Sequence, residues 1–314
     1  MNSDARMKIA CIIPTYNGYS DLLRLLDSLD TQTANFDVFV VDSNSSDGTR
    51  ELALSRVSGF FEIDSSQFNH GGTRQMMVSA NLEYDIFVFV TQDAYLADTE
   101  SIAELVKLFT NAEVGAVCGR QLPHLDANLI SAHARLFNYP DVTLVKSFSD
   151  ASVYGIKTPF ISNSFSAYRK SALLDVGGFP SDVILSEDMY VAAKMLIKGW
   201  KVAYAGEARC FHSHNYTVLE EFKRYFDQGV FHSREPWIRG AFGGAGGEGL
   251  RYVRSELKFL GVRRIYLWPS AIFRNAFKLL AYKLGQLESK MSVALKRKLS
   301  MHKRFWTNTN PSSM

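Results

Sequence analysis

Acidic and polar residues stand at the ends of apolar, β-rich runs through the first two thirds of this 314-residue chain. In order they are Pro14-Thr15-Tyr16-Asn17-Gly18, Asp42 after Val40-Val41, Thr91-Gln92-Asp93, Glu187-Asp188 and His212-Ser213-His214. The first three close the runs Ile9 to Ile13, Val38 to Val41 and Ile86 to Val90. In open α/β sheets, ligands bind at the carboxyl ends of strands. Carboxylates gathered there point to a metal-bound, phosphate-bearing ligand.

Each residue has a chemical and a plain reading. Asp93 offers the carboxylate oxygen that a hard divalent cation such as Mg²⁺ or Mn²⁺ prefers, or it is a simple turn residue. His212 and His214 alternate on one side of an extended segment, so one imidazole could complete a metal site with Asp93; otherwise they are hydrogen-bonded loop histidines. With Cys210 they do not have a usual zinc spacing. Asp188 could be a general base, while Glu187 at the same helix start fits the helix dipole. Asp42 could accept from a base or ribose, or begin an Asx-turn. Arg74, after Gly71-Gly72 at a helix start, could hold a phosphate. A dinucleotide fingerprint and a Walker A loop are both absent, which argues against a dehydrogenase or a P-loop NTPase.

Positioning these groups requires alternating strands and helices. The periodicity predicts strands at Lys8–Ile13, Phe36–Val41, Phe60–Ile63, Asp85–Val90 and Val114–Cys118. Helices are predicted at Asp21–Leu29 with Ser20 as N-cap, from Thr49, from Thr73 to Leu82 and from Thr99 to Phe109. That order implies a mostly parallel sheet covered on both faces. Gly119–Thr158 has no clear period. Strands at Ser162–Tyr168 and Lys201–Ala205, and helices at Glu187–Lys198 and Phe222–Phe231, follow. Glycine-rich 240–249 reads as a linker between a catalytic domain, 1–240, and a C-terminal region, 241–314.

The three scattered cysteines indicate a reducing compartment. The polar start, Met1 to Lys8, lacks a signal peptide's apolar core, and no membrane span is predicted. The net charge of +3 hides an asymmetry: Arg251 to Arg304 holds 14 Lys/Arg against 2 Glu, and the remainder is acidic. Aromatic and basic residues at Ile265–Leu287 fit a helix lying on an anionic membrane, or one packed on the body with a solvated basic face. A nucleic-acid-binding tail is a third reading, disfavoured by the acidic body.

The ordered set Ile12-Ile13-Pro14-Thr15-Tyr16-Asn17-Gly18, Val41-Asp42-Ser43-Asn44-Ser45-Ser46-Asp47-Gly48, Gly177-Gly178-Phe179-Pro180, Glu187-Asp188 and Lys198-Gly199-Trp200 resembles the family 2 glycosyltransferases of GT-A fold. Asn69-His70-Gly71-Gly72-Thr73-Arg74, Gly119-Arg120-Gln121-Leu122-Pro123, Ser162-Asn163-Ser164-Phe165 and Arg224-Tyr225-Phe226-Asp227-Gln228-Gly229 are similar to bacterial rhamnosyltransferases of O-antigen and related surface polysaccharides. The resemblance implies an α/β, Rossmann-like catalytic domain with a basic helical appendage. It also implies inverting transfer of L-rhamnose from dTDP-β-L-rhamnose to an undecaprenyl-diphosphate-linked glycan, as in lipopolysaccharide assembly. The enzyme would work in the cytoplasm, peripheral at the inner face of the plasma membrane, without nucleic acid. By position, Pro14, Thr15, Asn17 and Asp42 would meet the nucleoside, and Gly72, Arg74 and Gln92 would line the nucleotide pocket. Asp93 would hold Mg²⁺ or Mn²⁺ with His212 or His214. Asn163, Ser164 and Glu187 would lie by the acceptor or donor sugar, and Asp188 would be the base. The family's Asp-X-Asp triplet reads Thr91-Gln92-Asp93 here, so its first carboxylate is missing. The alternative within the family is a UDP-sugar donor.

Overall fold

The computed structural model describes residues 7–244 and 247–307. Most of the polar N-terminal stretch, the middle of the glycine-rich segment and the end of the C-terminal region lie outside the described residues. The strands are β1 (Ile9–Thr15), β2 (Asp37–Asp42), β3 (Gly59–Glu62), β4 (Ile86–Val90), β5 (Tyr95–Leu96), β6 (Val114–Leu122), β7 (Leu144–Lys146), β8 (Phe165–Arg169) and β9 (Lys201–Phe211). The helices are α1 (Tyr19–Asp30), α2 (Thr49–Arg56), α3 (His70–Ala80), α4 (Ser101–Lys107), α5 (Leu129–Asn138), α6 (Ala151–Tyr154), α7 (Lys170–Asp175), α8 (Glu187–Ile197), α9 (Val218–Arg234), α10 (Pro236–Phe242), α11 (Glu248–Leu260), α12 (Trp268–Gly285) and α13 (Val293–Leu299).

All the strands join one sheet, in the order β3-β2-β1-β4-β8-β6-β9-β5, with β7 also on β9. The period-2 alternation of β1 explains why both faces are covered. Ala10 and Ile12 enter one core with Met77 and Val78 of α3, while Ile9, Cys11 and Ile13 enter the other with the leucines of α1. Leu22, Leu25, Leu26 and Leu29 form the buried stripe of α1, at the spacing that places them on one helical face. Helix α1 begins one residue before the expected cap: Gly18 is its N-cap, and Ser20 lies inside the first turn.

The sheet is mixed where a mostly parallel one was expected. Parallel pairs join β1 to β2 and β4, β2 to β3, and β6 to β9. β8 runs antiparallel to both β4 and β6, and β5 and β7 run antiparallel to β9. Period-2 patterning reports that a segment is a strand, not its direction. The reversal has a consequence for the site. Because β8 starts opposite Val90, the end of β4, the residues just before it, Asn163 and Ser164, arrive at the carboxyl ends of the parallel strands.

The stretch 119–158 is more ordered than its sequence suggests. It completes β6 and contains α5, whose N-cap Asn128 accepts from the backbone N–H of Ser131. The basic helical C-terminal region packs on the body, one of the two arrangements its sequence allowed. α12 packs on α9 so closely that a Cβ at Gly229 would lie 2.1 Å from the Tyr282 carbonyl oxygen, and one at Gly285 2.0 Å from that of Phe226. Part of the basic tail is spent internally: Arg274 pairs with Glu221 at 2.9 Å, and Lys278 is buried 3.7 Å from the same carboxylate. Among the described residues no helix is long and apolar enough to cross a membrane.

Candidate active site

The carboxyl ends of β1, β2, β4 and β9 converge on one region. The pairing of Tyr95 in β5 with Phe211 in β9 brings Asp93 beside His212. His212 Nε2 lies 3.5 Å and His214 Nε2 3.7 Å from Asp93 Oδ2. The three ligand atoms fall within 4.8 Å of one another, so both histidines join Asp93 rather than one.

The surroundings fix the protonation this trio needs. Gln121 Oε1 accepts from Arg135 Nη1 at 2.6 Å and faces His212 Nδ1 at 2.9 Å. An amide oxygen only accepts, so His212 carries its proton on Nδ1 and turns the Nε2 lone pair toward Asp93. Burial depresses the imidazoles, His214 to about 4, so both are neutral at pH 7. Burial raises the Asp93 carboxyl, but contact with His212 outweighs it, and the net position is well below the ordinary value. One carboxylate and two imidazole lone pairs facing a common point fit a divalent cation.

Beside this trio lies a cavity of about 400 Å³. Of the residues expected to contact nucleotide, Pro14, Thr15, Arg74, Gln92 and Asp93 line it. Asn17, Asp42 and Gly72 do not. Asp42 is fully buried, accepting from Thr15 Oγ1 at 2.9 Å and from the Ser45 backbone N–H at 2.8 Å and hydroxyl at 2.6 Å. It shapes the loop after β2, the turn role also considered for it. Asn17 has a left-handed φ of +43° and accepts from the Ser46 N–H, and Gly72 donates to its cap Asn69. Thr91, which also lines the cavity, stands where the missing carboxylate would be, and the triplet's middle residue is Gln92. Gln92 accepts from the Tyr16 N–H at 2.9 Å and donates to the Tyr16 carbonyl at 3.1 Å, a clamp that an ionised carboxylate, which cannot donate, could not make.

Arg74 is buried, and its Nη1 bonds Glu187 at 2.9 Å and the His70 carbonyl at 2.8 Å, so its charge is already compensated. Asn163 donates from Nδ2 to Glu187 at 3.0 Å and from its backbone to Asp188 at 3.1 Å. Asn163 and Glu187 are thus buried supports beneath Asp188, while Ser164 is half-buried. Asp188 opens α8 after Ser186, whose φ of +61° makes the sharp turn into the helix. Burial, then the neighbouring Glu187 carboxylate, pushes Asp188 up to about 7. Glu187 stays below its ordinary value because Arg74 opposes the effect of its burial. Two adjacent carboxylates with pKa values driven apart are the arrangement of a base beside a structural anion.

The cavity also has walls not anticipated from sequence, notably Asp21, Ser65, Phe68 and Arg304. Arg304 is 239 positions from Ser65, whose carbonyl it meets, so local pattern carried no signal for it.

A sheet with helices on both faces and a metal-ready trio beside a nucleotide-sized cavity at its strand ends defines a GT-A enzyme. Residues 10–177 match Glycosyl transferase family 2. The chain is 50% identical over 310 residues to O-antigen chain rhamnosyltransferase RfbN of Salmonella typhimurium, covering 98% of each. It is 46% identical over 306 residues to O-antigen chain rhamnosyltransferase WbaN of Salmonella anatum, covering 96% of each. A mannosyltransferase of Pyrobaculum calidifontis, solved with GDP-Man and Mn²⁺, superposes over 92% of this chain and 89% of its own, with TM-score 0.62 at 18% identity. TarS of S. aureus, solved with UDP-GlcNAc, does so over 90% and 92%, with TM-score 0.54 at 14% identity. The two solved structures share the fold. The chain belongs to glycosyl transferase family 2: it is a glycosyltransferase, with a nucleotide-sugar donor and a glycan acceptor.

Proposed function

We propose that this enzyme moves L-rhamnose from dTDP-β-L-rhamnose to a lipid-linked glycan, with inversion, in O-antigen-type biosynthesis. The observation that carries the reading is the near full-length identity of 50% to an O-antigen chain rhamnosyltransferase. Asp188, poised near pH 7, takes the proton of an acceptor hydroxyl. The hydroxyl oxygen attacks the anomeric carbon as the bond to the diphosphate oxygen breaks, and a β-L donor yields an α-L-rhamnoside. Asp93, His212 and His214 would hold a divalent cation, which would supply positive charge to a departing diphosphate. Imidazole ligands favour Mn²⁺ over Mg²⁺.

The acceptor is an undecaprenyl-diphosphate-linked glycan, which places the enzyme at the inner face of the plasma membrane. Exposed Ile265, Tyr266, Ile272 and Phe273 beside Arg263 and Arg264 support a peripheral contact with anionic lipid. Incubation with dTDP-β-L-rhamnose, or with UDP-sugars, and a lipid-linked glycan tests the donor. Rhamnosylated product from the first alone is expected, and transfer only from a UDP-sugar would discard rhamnose. Flotation with anionic vesicles tests the membrane contact: binding that fades as salt rises is expected, and no binding at low salt would overturn it.

A further inference from the structure

The last of the described residues reach the donor cavity. Residues Lys303–Trp306 form a 3₁₀ turn, and Arg304 lines the same cavity as Asp93 while donating from Nη1 to the Ser65 carbonyl. The segment is anchored on both sides of Arg304. Before it, the fully buried Asp227 of α9 accepts from the backbone N–H groups of Met301 at 2.8 Å and His302 at 3.2 Å. The His302 ring packs edge-on against His70, another cavity residue, with centroids 5.2 Å apart. After it, the indole of Trp306 is buried, with the Arg234 guanidinium 5.2 Å and the Lys296 ammonium 5.1 Å from its ring. A segment held so firmly at both ends fixes the side chain between them.

Charge gives that side chain a purpose. Of the two arginines lining the cavity, Arg74 is compensated by the buried Glu187. Arg304 is exposed, and among the described residues no carboxylate lies within 4.0 Å of it, although Asp64 is near enough to feel its charge; a backbone carbonyl takes one of its five N–H donors and leaves the others free for a ligand. The cavity's carboxylates, Asp21 and Asp93, are of the sign that a diphosphate avoids. We infer that Arg304 is a donor-binding residue that receives the diphosphate of the nucleotide-sugar in the cavity it shares with Asp93, with Asp227 and Trp306 as positioning residues. This rests on the nucleotide-sugar reading of the cavity. It also gives a duty to the Arg224-to-Gly229 motif, whose Asp227 tethers the segment and whose Gly229 admits α12.

The test is calorimetric titration of the whole enzyme with dTDP, UDP, GDP and thymidine in the presence of Mn²⁺. Wild type, Arg304→Ala and Arg304→Lys are compared; the residue is exposed, so each variant is expected to fold. A charge-assisted contact corresponds to a loss of roughly 10- to 100-fold in nucleoside diphosphate affinity for the alanine variant. Lysine should recover part of it, and thymidine binding should be unchanged. Unaltered diphosphate affinity in Arg304→Ala, or an equal loss for thymidine, would overturn the assignment and leave the donor site standing. If the wild type bound none of these nucleotides, the donor-site reading itself would fall, and this inference with it.

Discussion

Asp93 and Arg304 face one cavity but reach it by opposite routes. Asp93 follows β4, five consecutive apolar residues with no exposure, and any chain with that run ends the strand near the same place. Arg304 depends on α12 seating on α9 through two glycines and on a buried carboxylate, both distant from it in sequence, and on its near neighbour Trp306. The first position is set by local pattern, the second by long-range packing. Groups at strand ends can therefore be found from sequence, whereas groups delivered by a returning segment cannot.

The largest effect is expected at the strand-end side. Asp188→Asn should lower the rate of transfer by roughly 10²- to 10⁴-fold, the range for loss of a general base, with dTDP affinity unchanged. Rates from steady-state assays and affinities from titration check this, and surviving transfer would move the base elsewhere. The next effect separates a built-in tail from a hanging one. Gly229→Ala would gain up to about 1 kcal/mol of helix propensity if α9 were free on that side. Instead its Cβ meets a backbone oxygen that cannot rotate away, so a net loss of about 2 kcal/mol is expected in denaturant unfolding. A gain in stability would mean that α12 does not pack there.

A smaller effect is read from pH. Asp188 must be ionised to act, and burial beside Glu187 holds it at about 7. The rate should therefore fall about tenfold per pH unit below 7. A carboxylate of ordinary pKa would keep the rate flat down to about pH 5, and that profile would remove Asp188 from its role.

Much of the site was legible because chemistry-bearing residues close apolar runs. Asp93, Asp188, His212 and His214 were singled out that way, and the structure brings Asp93 and both histidines together. What was not legible is relational. Nothing in Phe165–Arg169 states that β8 runs against its neighbours, yet that direction delivers Asn163 to Asp188. Asp42 reads from sequence as a ligand contact or a turn residue, and only the fold shows its carboxylate accepting from Thr15 and Ser45. Gln121 belongs to a motif whose purpose appears only once Arg135 and His212 meet on its amide oxygen. For the basic tail the sequence left a membrane helix and a packed helix both open, because charge counts do not reveal that Glu221 and Glu288 absorb part of its charge.

The most direct test of a metal-assisted nucleotide site at the strand ends is dTDP titration of wild type and Asp93→Ala, each with and without Mn²⁺. The wild type should bind dTDP much more tightly with Mn²⁺, and the variant should lose that gain while keeping its weaker, metal-free binding. An Mn²⁺ effect of equal size in both proteins would show that the ion is not held by Asp93, His212 and His214.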